Sequence, residues 1–338
     1  MSEILLHYTR AGHVENIHRG DAVAVNCKGE IVSSIGNAQL PMFWRSAAKP
    51  FQALPFVKNG GLERYGITDE ELALLVSSHS GEENHVALVR GILSKLGLDE
   101  SVLDCGVVRP MSGKAFKKII EAGEKVLPVH NACSGKHSQI IALAMMLGVP
   151  IEGYTKPDHE AQRIIFKHVA MASKMPEDKL EIGIDGCGVP VFYLPIYNMS
   201  LAYARLSTPS KGDWGEYTDA ATKIRDAMSK YPQVVSGTGR IDLAINEITG
   251  GRIIATGGGA VLREENVDAL KQNGLLVFLD RPLEELLPTG DRPLADDREK
   301  LQRLYTVRYS IYTRTADLVL PVRGTPEETA NALLEMLL

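Results

Sequence analysis

After Gly250-Gly-Arg the texture of the chain changes, and that change most limits how its 338 residues can fold. A run of β-formers from Ile253 to Thr256, three glycines, a helical stretch near Asn266 to Gln272 and a strand from Leu275 to Leu279 ending in Asp280 spell βαβ grammar. Thr325-Pro-Glu-Glu then supplies an N-cap, a first-turn proline and an N3 glutamate for a final helix. A chain of this length fits one large domain or two, and the seam is where a second begins.

Upstream, Val23 to Asn26 and Glu30 to Ser34 flank the turn Cys27-Lys-Gly-Glu and predict a hairpin. Apolar residues recur at helical spacing from Glu70 to Val76 and from Asn84 to Leu96, interrupted by Ser77-Ser-His-Ser-Gly. Asn131-Ala-Cys-Ser-Gly-Lys-His leads into an apolar run that stops at Gly148 and Pro150, which places the motif at a helix N-terminus. Ile182-Gly-Ile-Asp-Gly-Cys-Gly reads as a strand entering a glycine-rich turn, and Leu206 to Asp213 as a surface loop.

Several function classes are excluded by composition. A formal net charge of −5, without a dense Lys/Arg run, gives no attraction for nucleic acid. The longest apolar stretch, Ile140 to Ile151, is too short to span a bilayer. The N-terminus lacks the pattern of a secretory signal, and the four cysteines form no CxxC framework, so a reducing cytoplasm is the expected setting.

Ser46-Ala-Ala-Lys49 is the only Ser-x-x-Lys in the chain. On a helix that spacing stacks an amine one turn from a hydroxyl, and a neutral amine turns a serine into a nucleophile. About one such match arises by chance in a chain this long, and Pro50 disfavours a helical Lys49. Cys133, Lys136 and His137 sit where free N–H groups favour a substrate carboxylate. With Cys187 they also offer thiolates and imidazole to zinc, although the spacing is no standard zinc motif. The competing reading makes both cysteines small buried hydrophobes. Asp185 is either an acceptor for a substrate ammonium or a capping aspartate.

Arg45-Ser-Ala-Ala-Lys-Pro-Phe-Gln, Ser78-His-Ser-Gly-Glu, His130-Asn-Ala-Cys-Ser-Gly-Lys-His, Asp185-Gly-Cys-Gly-Val-Pro and Ser236-Gly-Thr-Gly-Arg together resemble, in order, the bacterial class 3 (Rhizobium-type) L-asparaginases over residues 1–255. The resemblance implies an α/β three-layer sandwich like the serine β-lactamases and glutaminases, a cytoplasmic homodimer, and hydrolysis of L-asparagine to L-aspartate and ammonia. It implies catalytic roles for Ser46, Lys49 and Ser78, a substrate pocket lined by Arg45, His137 and Asp185, and zinc on Cys133, Lys136 and Cys187. A thiol route through Cys133 and His137 is the alternative within the same reaction class.

The family's late lysine sits in Lys-Gly-Gly-Ala-Glu-Gly, and this chain has Thr256-Gly-Gly-Gly-Ala-Val instead. From there Ala255-Thr-Gly-Gly-Gly-Ala-Val, Val277-Phe-Leu-Asp-Arg-Pro, Gly290-Asp-Arg-Pro-Leu and Arg308-Tyr-Ser-Ile-Tyr-Thr-Arg-Thr-Ala-Asp resemble the C-terminal half of shikimate kinase over residues 256–338. In that family the positions matching Gly257, Gly258, Arg292 and Arg308 hold shikimate and cover the nucleotide. No GxxxxGK[ST] loop occurs here to cradle phosphates, so no nucleotide is expected and phosphoryl transfer is set aside. A shikimate- or nucleotide-binding chimera, or a folded but inactive one, remains the alternative to a working amidohydrolase.

Overall fold

The computed structural model describes residues 2–240, 243, 267, 271, 276–286, 297–322, 325, 328, 329, 332 and 333. The expected strand Ile253 to Thr256, with Gly257, Gly258 and Arg292, lies outside the described residues. The chain divides into two units, residues 1–254 and 255–338.

The first unit opens with two hairpins. Strands β1 (Glu3–Arg10) and β2 (His13–Gly20) pair across a two-residue turn in which Ala11 and Gly12 both have positive φ, 49° and 83°. Positive φ at both positions matches the right-handed twist of the flanking strands. The sequence reading missed this hairpin. Strands β3 (Ala22–Val25) and β4 (Ile31–Ile35) form the expected second one, closed by Asn26, whose side-chain oxygen accepts from the N–H groups of Lys28 and Glu30. Further on, β5 (Pro41–Phe43), β6 (Glu181–Ile184) and β7 (Pro190–Pro195) build an antiparallel sheet in the order β5-β7-β6.

Most of the core is helical. The short helices α1 (Lys49–Gln52), α2 (Leu54–Lys58) and α3 (Gly61–Tyr65) lead to α4 (Asp69–Leu75), started by a reciprocal cap between Thr68 and Glu71. The polar break Ser77 to Gly81 separates α4 from α5 (Glu83–Lys95), and α6 (Gly113–Glu121) follows. In α7 (Ser134–Leu147) every residue from Ser134 to Ala144 is buried, the pattern of a helix enclosed on all sides. It ends at Gly148 with φ 71°. It packs against α2, α3, α4, α5 and α8 (Glu160–Ser173), while α9 (Ile196–Ser207) lies on α8, and α10 (Thr218–Lys230) and α11 (Pro232–Val235) lie on α4.

Helix α7 approaches α4 so closely at Gly135 that a Cβ there would overlap the Leu74 carbonyl oxygen. Gly135→Ala is therefore expected to destabilise the first unit by about 1–3 kcal/mol, checked by denaturant unfolding. A melting curve unchanged from the parent would show that the backbone there yields freely.

In the second unit, β8 (Val277–Asp280) and β9 (Leu318–Pro321) pair in parallel, with α12 (Arg298–Thr315) between them in sequence, a βαβ connection. Val267 and Lys271 are helical, as expected for that stretch. Thr325 and Glu328 exchange cap bonds, Thr325 N–H to the carboxylate at 2.7 Å and Glu328 N–H to the hydroxyl at 3.2 Å. The architecture is mixed α/β, with helices around small separate sheets. No helix among the described residues is long and apolar enough to cross a membrane.

Candidate active site

Ser46 lies in a single 3-10 turn, Arg45–Ala48, held from both sides by aromatic rings. Trp44 stacks on Phe51 at 4.8 Å between centroids, and Tyr203 donates its hydroxyl to the Ala47 carbonyl at 2.8 Å. Arg45 enters this turn with φ 42°, a conformation costly for a residue with a Cβ and found where the surroundings impose it. Lys49 is helical, with φ −56° and ψ −40°, although Pro50 follows it.

The Lys49 side chain, which follows the turn, is buried, 1% exposed. It donates to the Ser77 carbonyl at 2.5 Å and the Ala132 carbonyl at 3.1 Å. Burial pushes its pKa down to about 8, against which the neighbouring Cys133 and Cys187 act only in part. An amine that gives two N–H bonds to carbonyls keeps a lone pair for a proton once neutral. Ser78, near the start of the break after α4, donates its hydroxyl to Ser46 Oγ at 3.3 Å, and its own N–H to the Val235 carbonyl at 3.2 Å. Both serines line a cleft of 710 Å³, whose walls also include Met111, Tyr203, Leu206, Met228 and Val235.

A second polar cluster forms where α7 begins. The Cys133 thiol and the side-chain donors of Asp185 and Cys187 lie within 4.8 Å of one another. Lys136 Nζ donates to Cys187 Sγ at 3.2 Å and stands 4.0 Å from Asp185 Oδ2. The two thiols are coupled: the neighbouring Cys187 lowers the Cys133 pKa, and Cys133 raises that of Cys187, whose thiol donates to Asp185 Oδ2 at 3.7 Å. Burial alone would raise the Asp185 carboxyl, but the Gly186 N–H, Lys136 and Arg45 outweigh it and hold the group below its ordinary value. Arg45 Nη2 donates to Asp185 Oδ1 at 3.0 Å. Two sulfurs and a carboxylate are donors of the kind zinc takes, whereas the Lys136 amine, which donates to Cys187, is an uncommon ligand. None of these residues lines the cleft.

His137 is fully buried, its Nδ1 2.7 Å from the Tyr154 hydroxyl and its Nε2 without a partner. Burial lowers its pKa well below the usual value, so the ring is neutral.

Two of the motifs singled out in the sequence interlock. Ser80 Oγ donates to the Ser236 carbonyl at 2.6 Å, and Glu82 accepts from the Thr238 N–H at 3.0 Å and its hydroxyl at 3.1 Å. Gly237, at φ 117°, has no room for a side chain beside Ser80. His79 links the same loop to α7: its Nδ1 accepts from the Gly81 N–H at 3.1 Å, which makes Nε2 the donor to Ser134 Oγ at 2.9 Å. Neither Glu82 nor His79 was singled out as a site residue, and the cleft wall residues Arg225 and Met228 carry no motif by which a sequence could announce them.

Residues 6–263 match the family model described as L-asparaginase II, and residues 243–338 match that of shikimate kinase, the two overlapping at 243–263. A shikimate kinase of Clostridium beijerinckii is 41% identical over 102 residues, which are 28% of this chain and 60% of that protein. One from Psychrobacter arcticus is 36% identical over 129 residues, 36% of this chain and 60% of that protein. One from Neisseria gonorrhoeae is 39% identical over 92 residues, 25% of this chain and 68% of that protein. The chain spans 60% of the length of the first two of these relatives, and 54% of two further shikimate kinases, from Clostridium botulinum.

Proposed function

Because the chain belongs to the L-asparaginase II family through residues 6–263 and carries a shikimate kinase segment at residues 243–338, we propose that it hydrolyses L-asparagine to L-aspartate and ammonia. One observation carries this reading: two serine hydroxyls meet at the wall of a cleft, and a buried lysine whose pKa burial has lowered lies one helical turn after the first and donates to the carbonyl of the residue before the second. Ser46 Oγ attacks the side-chain carbonyl, Lys49 takes the serine proton and returns it to the departing nitrogen, and water then releases aspartate from the ester. Ser78 relays the proton or hydrogen-bonds the attacking oxygen. Arg45 and Asp185, an ion pair beside Ser46, receive the α-carboxylate and the α-ammonium respectively. His137, neutral and buried, supports the pocket from below.

Cys133, Lys136 and Cys187 would hold zinc, with Asp185 in reach as a further donor. Bound there, the metal supplies a fixed positive charge that keeps both thiols deprotonated. The same proposal takes residues 1–255 as a cytoplasmic three-layer sandwich of the β-lactamase and glutaminase kind, assembled as a homodimer.

Purified protein is expected to release ammonia from asparagine, with or without added zinc. No ammonia from asparagine or glutamine under either condition would end the hydrolase reading. The rate should also follow the lysine. Its working form is the free amine, so kcat/KM should climb about tenfold per pH unit below 8 and level off above it. A profile flat between pH 6 and 9 would exclude Lys49 as the base.

The shikimate kinase match of the last 96 residues favours a second reading for that part, a module that binds shikimate or a nucleotide without transferring phosphate. Calorimetry with shikimate and with ATP tests it directly, and heats equal to dilution would dismiss it.

A further inference from the structure

The cleft is far larger than asparagine chemistry needs. Ammonia, the leaving group, fills about the 30 Å³ of a water molecule. The cleft on which Ser46 and Ser78 open has a volume of 710 Å³, within the range of sites that enclose drug-sized ligands. Its position relative to the serine is equally informative. The charged pair Arg45 and Asp185 stands beside Ser46 but outside the cleft, whereas Ser46 itself lines it. If the zwitterionic head of the substrate is held by that pair, the side-chain amide reaches Ser46 with its nitrogen directed toward the cleft.

The wall chemistry identifies what would follow that nitrogen. Met111, Met228, Tyr203, Arg225 and Arg240 all line the cleft, with the Arg240 guanidinium donating to the Met111 sulfur at 3.6 Å. Thioethers and guanidinium planes both pack favourably on aromatic rings. We propose that this chain hydrolyses secondary β-amides of aspartate whose nitrogen carries an aromatic group, which occupies the cleft. The inference rests on the amidohydrolase reading above and deepens it.

The chemistry needs no further reactant than water. Ser46 Oγ bonds to the amide carbon, the carbon–nitrogen bond breaks, and the serine proton, carried by Lys49, ends on the aromatic amine. Water then splits the aspartyl ester, which restores the Ser46 hydroxyl and frees aspartate.

The full chain is assayed on L-aspartic acid β-anilide, on the β-methylamide and on asparagine. The KM for the anilide should be about tenfold below those for the methylamide and asparagine, as expected when an apolar group gains a matching wall. Ser229, exposed at the cleft rim, provides the control. Ser229→Trp should raise the anilide KM about tenfold and change asparagine turnover less than twofold, with an unchanged melting temperature showing that the fold is intact. Asparagine cleaved but anilide refused, or anilide cleaved with a KM that Ser229→Trp leaves alone, would overturn the inference and spare the hydrolase reading. Failure on all three amides would remove both. Met228→Trp, at the adjacent half-buried wall position, repeats the test and must move the anilide KM in the same direction.

Discussion

Ser46→Ala should lower ammonia release from asparagine by on the order of a thousandfold or more, while Cys133→Ala retains measurable turnover. The asymmetry follows from what each group can touch. Ser46 Oγ is on the cleft surface and hydrogen-bonded to Ser78, so removing it removes the attacking atom and leaves a methyl group in its place. Cys133 caps α7 among Asp185, Cys187 and Lys136, away from the cleft, and the histidine that would activate it as a nucleophile is bonded to Tyr154 instead. Its loss weakens the cluster beneath the site without deleting the reacting oxygen. The two variants are compared by coupled ammonia assay at saturating asparagine, together with thiol alkylation of the parent. An active Ser46→Ala beside a dead Cys133→Ala would hand the mechanism to the thiol.

Arg205→Met is expected to cost the first unit about 3–5 kcal/mol, which corresponds to a drop of roughly 10 °C in melting temperature. Arg205 is 2% exposed, yet all of its guanidinium edges are used. Nε donates to the Gly212 carbonyl at 2.6 Å, Nη1 to the carbonyls of Met171 and Ala172, and Nη2 to the Asp213 carbonyl at 2.9 Å. The Trp214 ring lies 4.3 Å from the guanidinium carbon, and its Nε1 donates back to the Arg205 carbonyl at 2.9 Å. A methionine fills the space but takes the guanidinium donors from the carbonyls of the buried residues Ala172 and Gly212, each with its own desolvation cost, while the Met171 carbonyl keeps the Lys174 N–H at 3.3 Å and Asp213 is exposed. Lysine, a point charge with no fork, should recover less than half of the loss. Urea unfolding measures both variants, and a Met variant as stable as the parent would mean that water serves those carbonyls equally well.

Sequence reasoning reached the parts of this molecule where local chemistry and position coincide. The start of α7, the polar break after α4, the hairpin around Cys27 and the cap at Thr325 each announce themselves by residues that do one thing well. The first hairpin escaped because its turn is Ala11-Gly12, without the Asn-Gly or Asp-Gly that signals a tight reversal, and because its strands expose apolar residues on both faces. Lys49 was read against Pro50, a local preference that tertiary packing overrides: the buried amine needs the Ser77 and Ala132 carbonyls, and the backbone accepts an α conformation to reach them. Cys133 and Cys187 were paired by family likeness, since no spacing rule joins residues 54 positions apart. The cleft is beyond any pattern, because its walls come from five stretches of chain whose side chains meet only after α9, α10 and α11 have packed.

The clasp of Glu82 on Thr238 has one further consequence. It pins the backbone a few residues ahead of the place where the second family's sequence takes over, and the grip belongs wholly to the first unit. Whatever polypeptide follows downstream sets out from a backbone tied to the loop that carries Ser78.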